Sequence, residues 1–370
     1  MRHLWIAGAV VVLAAAVLLV VQQRRGRTLL VPTLTGSIGA FLLVAGWLFV
    51  VDPGVPRNEA IKTGGLAGGA LVALYALWLN DRRRRTDEAR QRIEDARHEL
   101  ESARAEHDRS RVADERFARS VELLGHDAEQ VRVGAMHSLA GLARSRAEYT
   151  QTVLDVLCAY LRRPFHLADR GGEGVRDERE LEVRLTAQRL IADLLPRDGV
   201  EGAPHYNLDL TRAYLEYFDV SHRQVGDLVL RAAHLQESNS FHHTVVHGNA
   251  WFTDTRSQGR LYLHDMVFHA KAWFSRFGCS QPTDYRATRF LGPNKFAEVV
   301  FTGPVTFAGC EFAEPIDFEH AKFAGGVDLE LARPTVARTH GMHVSLEHEN
   351  ALPEGWVVER RDGGVGLVRS

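Results

Sequence analysis

Histidine is the residue of this 370-residue chain with the widest chemical use, because a neutral imidazole binds metal ions and transfers protons near neutral pH. Nine of the 18 histidines lie between His205 and His320. Their regular spacings, of twenty or five positions, are those of the pairs His222–His242, His242–His247 and His264–His269. A metal site needs three or four converging ligands, usually with carboxylate support, and these spacings do not indicate one. We therefore expect solvated histidines and no metal or cofactor.

Other patterns that carry catalysis are missing from the sequence. His264 and Asp265 form an acid–base pair only by adjacency, since neighbours in an extended chain point to opposite sides. There is no P-loop, GxSxG or HExxH motif. The glycines of 171–174 lack a following Lys-Ser/Thr and indicate a linker. We predict that the protein is not an enzyme and has no catalytic residues.

Composition narrows the classes further. The formal net charge is −2 with 25% charged residues, which excludes a basic nucleic-acid coat and a fully disordered chain. Cys158, Cys279 and Cys310 are odd in number and widely spaced, so they predict neither a disulfide framework nor a CxxC metal site. Most of the chain is therefore expected in a reducing compartment.

The segment that carries the histidines has a five-residue period. Its large apolar residues form two series: Leu210, Leu215, Val220, Val225, Leu230, Leu235, and Phe296, Phe301, Phe307, Phe312, Phe318, Phe323. Neither a strand period of 2 nor a helix period of 3.6 explains this spacing. It predicts a chain that turns a corner every five residues, a four-sided β-solenoid with about twenty residues per coil. Two of the steps between successive phenylalanines are six residues long, near Gly303-Pro304 and at Pro315. We interpret each as an isolated single-residue slip in the five-residue period.

These residues resemble pentapeptide-repeat proteins over 206–330, with the best matches at "LTRAYLEYFDV", "LVLRAAHL", "VVFTGPVTFAGCEF" and "IDFEHAKFAG". The preceding "RFARSVELLGHDAEQVRVGAMHSLAGLARS" is similar to the region before the repeats in membrane-anchored members of the actinobacterial type. The resemblance implies a right-handed quadrilateral β-helix. The segment Glu237–Phe290 departs from the repeat, so we expect a bulge there or loops at Asp254–Gly259 and Gly278–Asp284.

Three apolar runs precede residue 80, and each is long enough to cross a bilayer as a helix: Leu4–Val21, Leu29–Val51 and Ile61–Leu79. Basic loops favour the cytoplasm, and the arginines lie in Gln22–Arg27 and at Arg82–Arg85. This predicts a multi-pass plasma-membrane (inner-membrane) protein with its N-terminus outside and everything from Arg82 onward cytoplasmic. The alternative is a cleaved signal peptide in the first run, although no small-x-small site precedes Gln22, and it leaves the C-terminal orientation unchanged.

Two features of the anchor predict partners. Arg82–Arg85 is expected to contact anionic lipid headgroups. The third run has two overlapping GxxxG spacings, which favour close helix packing in lipid. The glycines of these spacings are Gly64, Gly65, Gly68 and Gly69. They allow the third helix either to form a homo-oligomer or to pack against the chain's own other two spans.

Helices are predicted between the anchor and the repeats. A charged stalk from Thr86 to about Gly125 lacks proline and glycine, with a weak dimeric coiled coil as the alternative. Asp127 is the expected N-cap of the next helix, which resembles a HEAT or armadillo helix. Further helices end near Pro164 and at Pro196. With fewer than three repeats, these helices form a small bundle on which the solenoid must stack.

The predicted fold class is membrane α plus α+β. The predicted domains are a three-helix transmembrane anchor (1–80), a charged juxtamembrane helix (81–125), a small HEAT-like helical domain (115–200), a pentapeptide-repeat β-solenoid (201–332) and a C-terminal tail with a capping hairpin (333–370).

The leading functional hypothesis is a non-enzymatic membrane-tethered scaffold that presents the solenoid to a cytoplasmic protein. The resemblance also implies a topoisomerase-protecting DNA mimic, but 16 acidic against 11 basic residues between Glu201 and Glu330 is a weak surplus, and we expect no nucleic-acid partner. A His-rich metal-responsive protein is the third alternative.

Overall fold

The computed structural model describes residues 3–25, 29–51, 56–164, 177–361 and 363–369. The chain divides into two compact units, Met1–Asp108 and Arg109–Ser370. The Gly-rich stretch at 171–174, Arg27 and Asp362 lie outside the described residues.

The first unit contains three apolar helices. They are α1 (Leu4–Arg24), α2 (Leu30–Val51) and the membrane-length beginning of α3 (Arg57–Leu123), and all three are long and apolar enough to span a membrane. Glycines let α1 and α2 touch: a Cβ on Gly8 would overlap the backbone nitrogen of Leu43, and one on Gly46 would overlap that of Trp5. The charged segment predicted as a stalk belongs to the same continuous helix α3 as the third span.

A helical bundle opens the second unit, with α4 (Glu129–Ser145), a 3₁₀ turn (Ala147–Tyr149), α5 (Thr150–Leu161) and α6 (Glu178–Leu194). The N-cap of α4 is Ala128, without a side-chain bond, so the predicted cap at Asp127 is wrong by one residue. Asp177 caps α6 because its carboxylate accepts the Glu180 N–H at 3.1 Å. The helices bury an apolar core that includes Met136, Leu157 and Ile191.

After the bundle, the chain forms a β-solenoid whose strands stack in four faces, named A to D. Face A has Leu208–Asp209, Leu228–Val229, Ala250–Trp251, Ala272–Trp273 and Asn294–Lys295, followed by Ile316–Asp317 paired with Ala337–Arg338. Face B has Tyr214–Glu216, His234–Gln236, Arg256–Ser257, Gly278–Cys279, Val300–Phe301, Lys322–Phe323 and His343–Ser345. Face C has Ser238–Ser240, Arg260–Tyr262, Thr283–Asp284, Val305–Thr306, Val327–Asp328 and Asn350–Ala351. Face D has Gln224–Val225, Val245–Val246, Val267–Phe268, Arg289–Phe290 and Glu311–Phe312.

The predicted apolar series fills the interior. Every member of the first series, from Leu210 to Leu235, is buried, and so is every member of the second, from Phe296 to Phe323, apart from a partly exposed Phe312. Equivalent rings of successive coils stack in parallel, as Phe274 and Phe296 do with centroids 4.8 Å apart. Packing of equivalent side chains across coils therefore holds the solenoid together.

The coil is longer than predicted. Leu208 pairs with Leu228, twenty positions later, but Ala250 pairs with Ala272, and Phe301 with Phe323, each twenty-two positions later. The steps of six among the phenylalanines are thus regular, since sides of five and six residues alternate around each coil. The interpretation as isolated slips is wrong. The extra residue lies at corners where the backbones of successive coils are close together. At one such corner, a Cβ on Gly259 would overlap the Glu237 carbonyl oxygen.

The middle of the solenoid is as regular as its ends. Arg256–Ser257, Gly278–Cys279 and Thr283–Asp284 are strands of faces B and C, so the expected loops at Asp254–Gly259 and Gly278–Asp284 do not form. The small buried side chains of Ser257 and Cys279 occupy the central position that Leu or Phe fills elsewhere.

Other elements of the chain contact both ends of the solenoid. The Gln151 side chain exchanges two hydrogen bonds with the backbone of Asn207, at 3.0 and 2.8 Å, so α5 packs on the first coil. At the other end, the predicted hairpin forms from Val357–Arg361 and Val365–Arg369, and it pairs antiparallel with His343–Ser345. Parallel pairing continues past residue 332 to Asn350–Ala351. The hairpin thus occupies the edge of face B, where an unpaired strand would recruit another chain.

Candidate functional site

Face A carries two tryptophans that point outward on neighbouring strands. Trp251 and Trp273 are in direct register, with ring centroids 4.5 Å apart and planes at 83°. The Arg231 guanidinium lies 4.2 Å from the Trp251 ring centroid, and the Lys271 ammonium lies 5.5 Å from that of Trp273. Both rings are half-buried. Large aromatic side chains beside arginine are the residue types that dominate binding energy in protein interfaces.

The corner between faces C and D collects histidines from successive coils. We call this set the histidine corner: His222, His242, His243, His264 and Asp265. His222 stacks on His243 with centroids 4.5 Å apart, and His242 stacks on His264 at 4.9 Å. The predicted neighbours His222 and His242 do meet, at 5.2 Å, but edge to face.

Turn geometry brings His264 and Asp265 together. Asp265 has a positive φ of 57° at the corner, and its Oδ2 lies 2.8 Å from His264 Nδ1 and 3.8 Å from His243 Nε2. The prediction that these two neighbours point apart holds only for an extended chain, and it is wrong here because the residues form a corner. Donor atoms of His243, His264 and Asp265 also all lie within 4.8 Å of one another, a convergence that the sequence spacings did not indicate.

Hydroxyl groups hold the adjacent ring. His242 Nδ1 lies 2.5 Å from Ser240 Oγ and 3.0 Å from Ser221 Oγ, and Ser221 in turn donates to Asp219. Burial, reinforced by the charges of the neighbouring His264 and His222 imidazoles, lowers the pKa of His242. The lowered pKa favours the neutral form of this ring.

A second histidine stack lies at the corner between faces D and A. His247 stacks on His205 with centroids 3.6 Å apart and on His269 at 5.0 Å. Its Nε2 lies 2.9 Å from Gln224 Oε1. Burial and the two neighbouring imidazoles lower the pKa of His247. The described residues supply no carboxylate to this stack in the way that Asp265 serves the histidine corner.

The cysteines are structural. All three are buried and free, and burial raises the pKa of Cys158 and of Cys310 to about 12. A thiol with so high a pKa is neither a nucleophile nor a ready metal ligand at neutral pH.

In the first unit, the glycines of α3 divide into two sides. A Cβ on Gly64 would lie 2.9 Å from Phe41 O and one on Gly68 would lie 3.0 Å from Ser37 O, so both pack against α2. Gly65 and Gly69 have open space instead. Of the arginine run, Arg82 lies over the Trp78 ring at 5.4 Å, and the side chains at 84 and 85 are outside the described residues.

Comparison with known proteins agrees with the geometry of the solenoid. The family model for pentapeptide repeats (9 copies) matches residues 286–333. The chain contains a pentapeptide-repeat solenoid. Neither a curated protein nor a solved structure gives a significant match.

The matched residues include the whole phenylalanine series, Phe296 to Phe323, where steps of five and six alternate regularly. The earlier coils lie outside the matched residues, but they pair with the matched coils in the same four faces. The same four-sided solenoid therefore extends from residue 208 through both the tryptophan pair and the histidine corner.

Proposed function

We propose that the protein is a non-enzymatic, membrane-tethered scaffold whose face A binds a cytoplasmic protein. The observation that carries the proposal is the outward Trp251–Trp273 pair with its two cations. Outward side chains do not fill the interior of a solenoid, so a half-buried tryptophan pair at outward positions provides a surface for contact with a partner. Pentapeptide-repeat solenoids are generally non-enzymatic, in line with a binding role.

The chemistry of face A indicates the partner's surface. Arg231 and Lys271 each place a cation over an indole ring, so face A presents positive charge directly beside aromatic surface. A partner segment with an apolar side chain flanked by carboxylates would match this arrangement, because its charges would meet both cations while its apolar group covers the rings.

The membrane part of the proposal rests on the three apolar helices and the basic residues next to them. The positive-inside rule puts the Arg24–Arg27 loop and the Arg82–Arg85 run on the cytoplasmic side, with the N-terminus outside. Arg82–Arg85 would then lie at the anionic leaflet and contact its headgroups. Gly65 and Gly69 leave an open helix side on which a second copy could pack.

Site-specific photocrosslinking in intact cells tests the scaffold. A photoreactive residue replaces Val229, which neighbours Trp251 on face A, and a matched probe replaces Asp284, an outward position of face C. We expect one protein to be captured from Val229 and not from Asp284, and its capture to be lost in W251A/W273A but kept in the control variant Y262A. Equal capture from both faces, or capture that survives W251A/W273A, would refute the use of face A.

A further inference from the structure

We propose that His243, His264 and Asp265 of the histidine corner bind a divalent transition-metal ion of the zinc, cobalt and nickel class. The three residues offer two imidazole nitrogens and a carboxylate oxygen, all within 4.8 Å of one another. Two histidines with one carboxylate suit these metals, whereas calcium and magnesium prefer oxygen ligands and copper(I) prefers sulfur. The site goes beyond the scaffold function and does not depend on it.

The donor atoms need only a small contraction to become ligands. His264 Nδ1 and Asp265 Oδ2 are 2.8 Å apart, and His243 Nε2 is 3.8 Å from the same oxygen. Ligand bonds of about 2.0–2.2 Å place neighbouring donors about 3 Å apart, so modest side-chain rotations are enough. On binding, the metal takes the place of the hydrogen bond between His264 and Asp265, and His264 carries its proton on Nε2.

The backbone already fixes the positions of all three ligands. His243 and Asp265 occupy equivalent corner positions with φ values of 56° and 57°, a conformation that His and Asp tolerate better than most residues. The His243 N–H donates to the His264 carbonyl at 3.1 Å, which ties the two ligand-bearing coils together. Since each ligand sits on a rigid repeat, little ordering entropy remains to be lost on binding.

The surroundings favour a bound ion with open coordination positions. The side chains of His243, His264 and Asp265 are 42%, 26% and 42% exposed, so an ion can enter and keep water ligands. The rings of His243 and His264 are supported from behind by stacking on His222 and His242. His242 contacts Ser240 Oγ and Ser221 Oγ through its Nδ1 and is not among the three residues whose donor atoms converge, so we assign it as a supporting ring.

The test is titration of the full chain in detergent with Co²⁺, read by its visible absorption, followed by displacement with Zn²⁺. The protein is purified through a tag without histidine. We expect one equivalent to bind, and D265N and H264Q to weaken binding at least about 100-fold. D265N is the preferred variant because asparagine also tolerates the positive φ. The matched control is H269Q, which alters the other histidine stack and should bind Co²⁺ as the unaltered chain does.

A second readout is stability, because the ion would link two coils. Zn²⁺ should raise the unfolding midpoint of the unaltered chain and of H269Q, but not that of D265N. Absence of saturable Co²⁺ binding in the unaltered chain would overturn the proposal. So would binding that D265N and H264Q leave intact, or binding that H269Q abolishes.

Discussion

Replacing Phe296 with alanine should remove the centre of the aromatic stack. Phe296 is fully buried and contacts six rings: Phe274, Tyr285, Phe290, Phe307, Phe312 and Phe318. A buried phenylalanine removes about 150–250 Å² from water, which at about 25 cal/mol per Å² gives roughly 4–6 kcal/mol as an upper limit. Phe→Ala substitutions in protein cores cost about 3–5 kcal/mol, and we expect F296A to fall in that range.

Urea unfolding of the full chain in detergent measures the loss, and hydrogen exchange shows where it acts. Contacts in a solenoid are limited to neighbouring coils, so F296A should speed exchange around residues 274 and 318 and leave α4 to α6 protected. The matched control is V300A, because Val300 points outward on face B with 39% exposure and should cost less than about 1 kcal/mol. A cost for F296A no larger than that of V300A would refute the packed interior.

Three further predictions concern other parts of the chain. In thermal unfolding, G259A should destabilise the solenoid by about 1–3 kcal/mol, because the added Cβ would overlap the Glu237 carbonyl. By contrast, G141A has open space around the added Cβ in α4 and should stabilise the chain by about 1 kcal/mol. A G259A variant as stable as the unaltered chain would contradict the close approach of the coils at this corner. The pKa of His247 is lowered in the folded chain, so the imidazole of the unfolded chain is protonated first as the pH falls, and the stability should decrease below about pH 6.5. H247Q should flatten this part of the pH profile of the unfolding midpoint. An unchanged profile in H247Q would exclude His247 as the source of the pH dependence. Because all native cysteines are buried, an impermeant maleimide on intact cells should label N58C but label S102C only after permeabilisation, and the reverse pattern would invert the proposed topology.

The sequence pattern predicted the repeating apolar interior of the solenoid but not the extra residue at the corners. The Leu210–Leu235 and Phe296–Phe323 series identified the solenoid, because one large inward residue per side is a property of the chain alone. Counting by fives failed at Ser240, because the extra corner residue moves the central position to Phe241 and then to Val246. Because of this shift, the segment Glu237–Phe290 departs from a count of five although its coils are regular.

The same extra corner residue changes which side chains of successive coils meet, so the contacts of the candidate sites could not be predicted from a period of five. The shorter coil that the sequence predicted would stack His222 on His242, whereas in the observed coil these two rings meet edge to face, His222 stacks on His243 and His242 stacks on His264. The longer coil also places Trp251 in direct register with Trp273. Contacts between coils depend on coil length, and coil length could have been found from the alternating steps of five and six among the phenylalanines.

Thiol crosslinking between coils measures whether each four-sided coil repeats every twenty-two positions along most of the solenoid. Val267 and Arg289 are outward neighbours in direct register on face D. Ala287, which a coil of twenty positions would place opposite Val267, lies instead at the preceding corner. We expect V267C/R289C to be joined rapidly by a short thiol crosslinker in the folded chain and V267C/A287C not to be joined. Rapid crosslinking of V267C/A287C with none in V267C/R289C would contradict it.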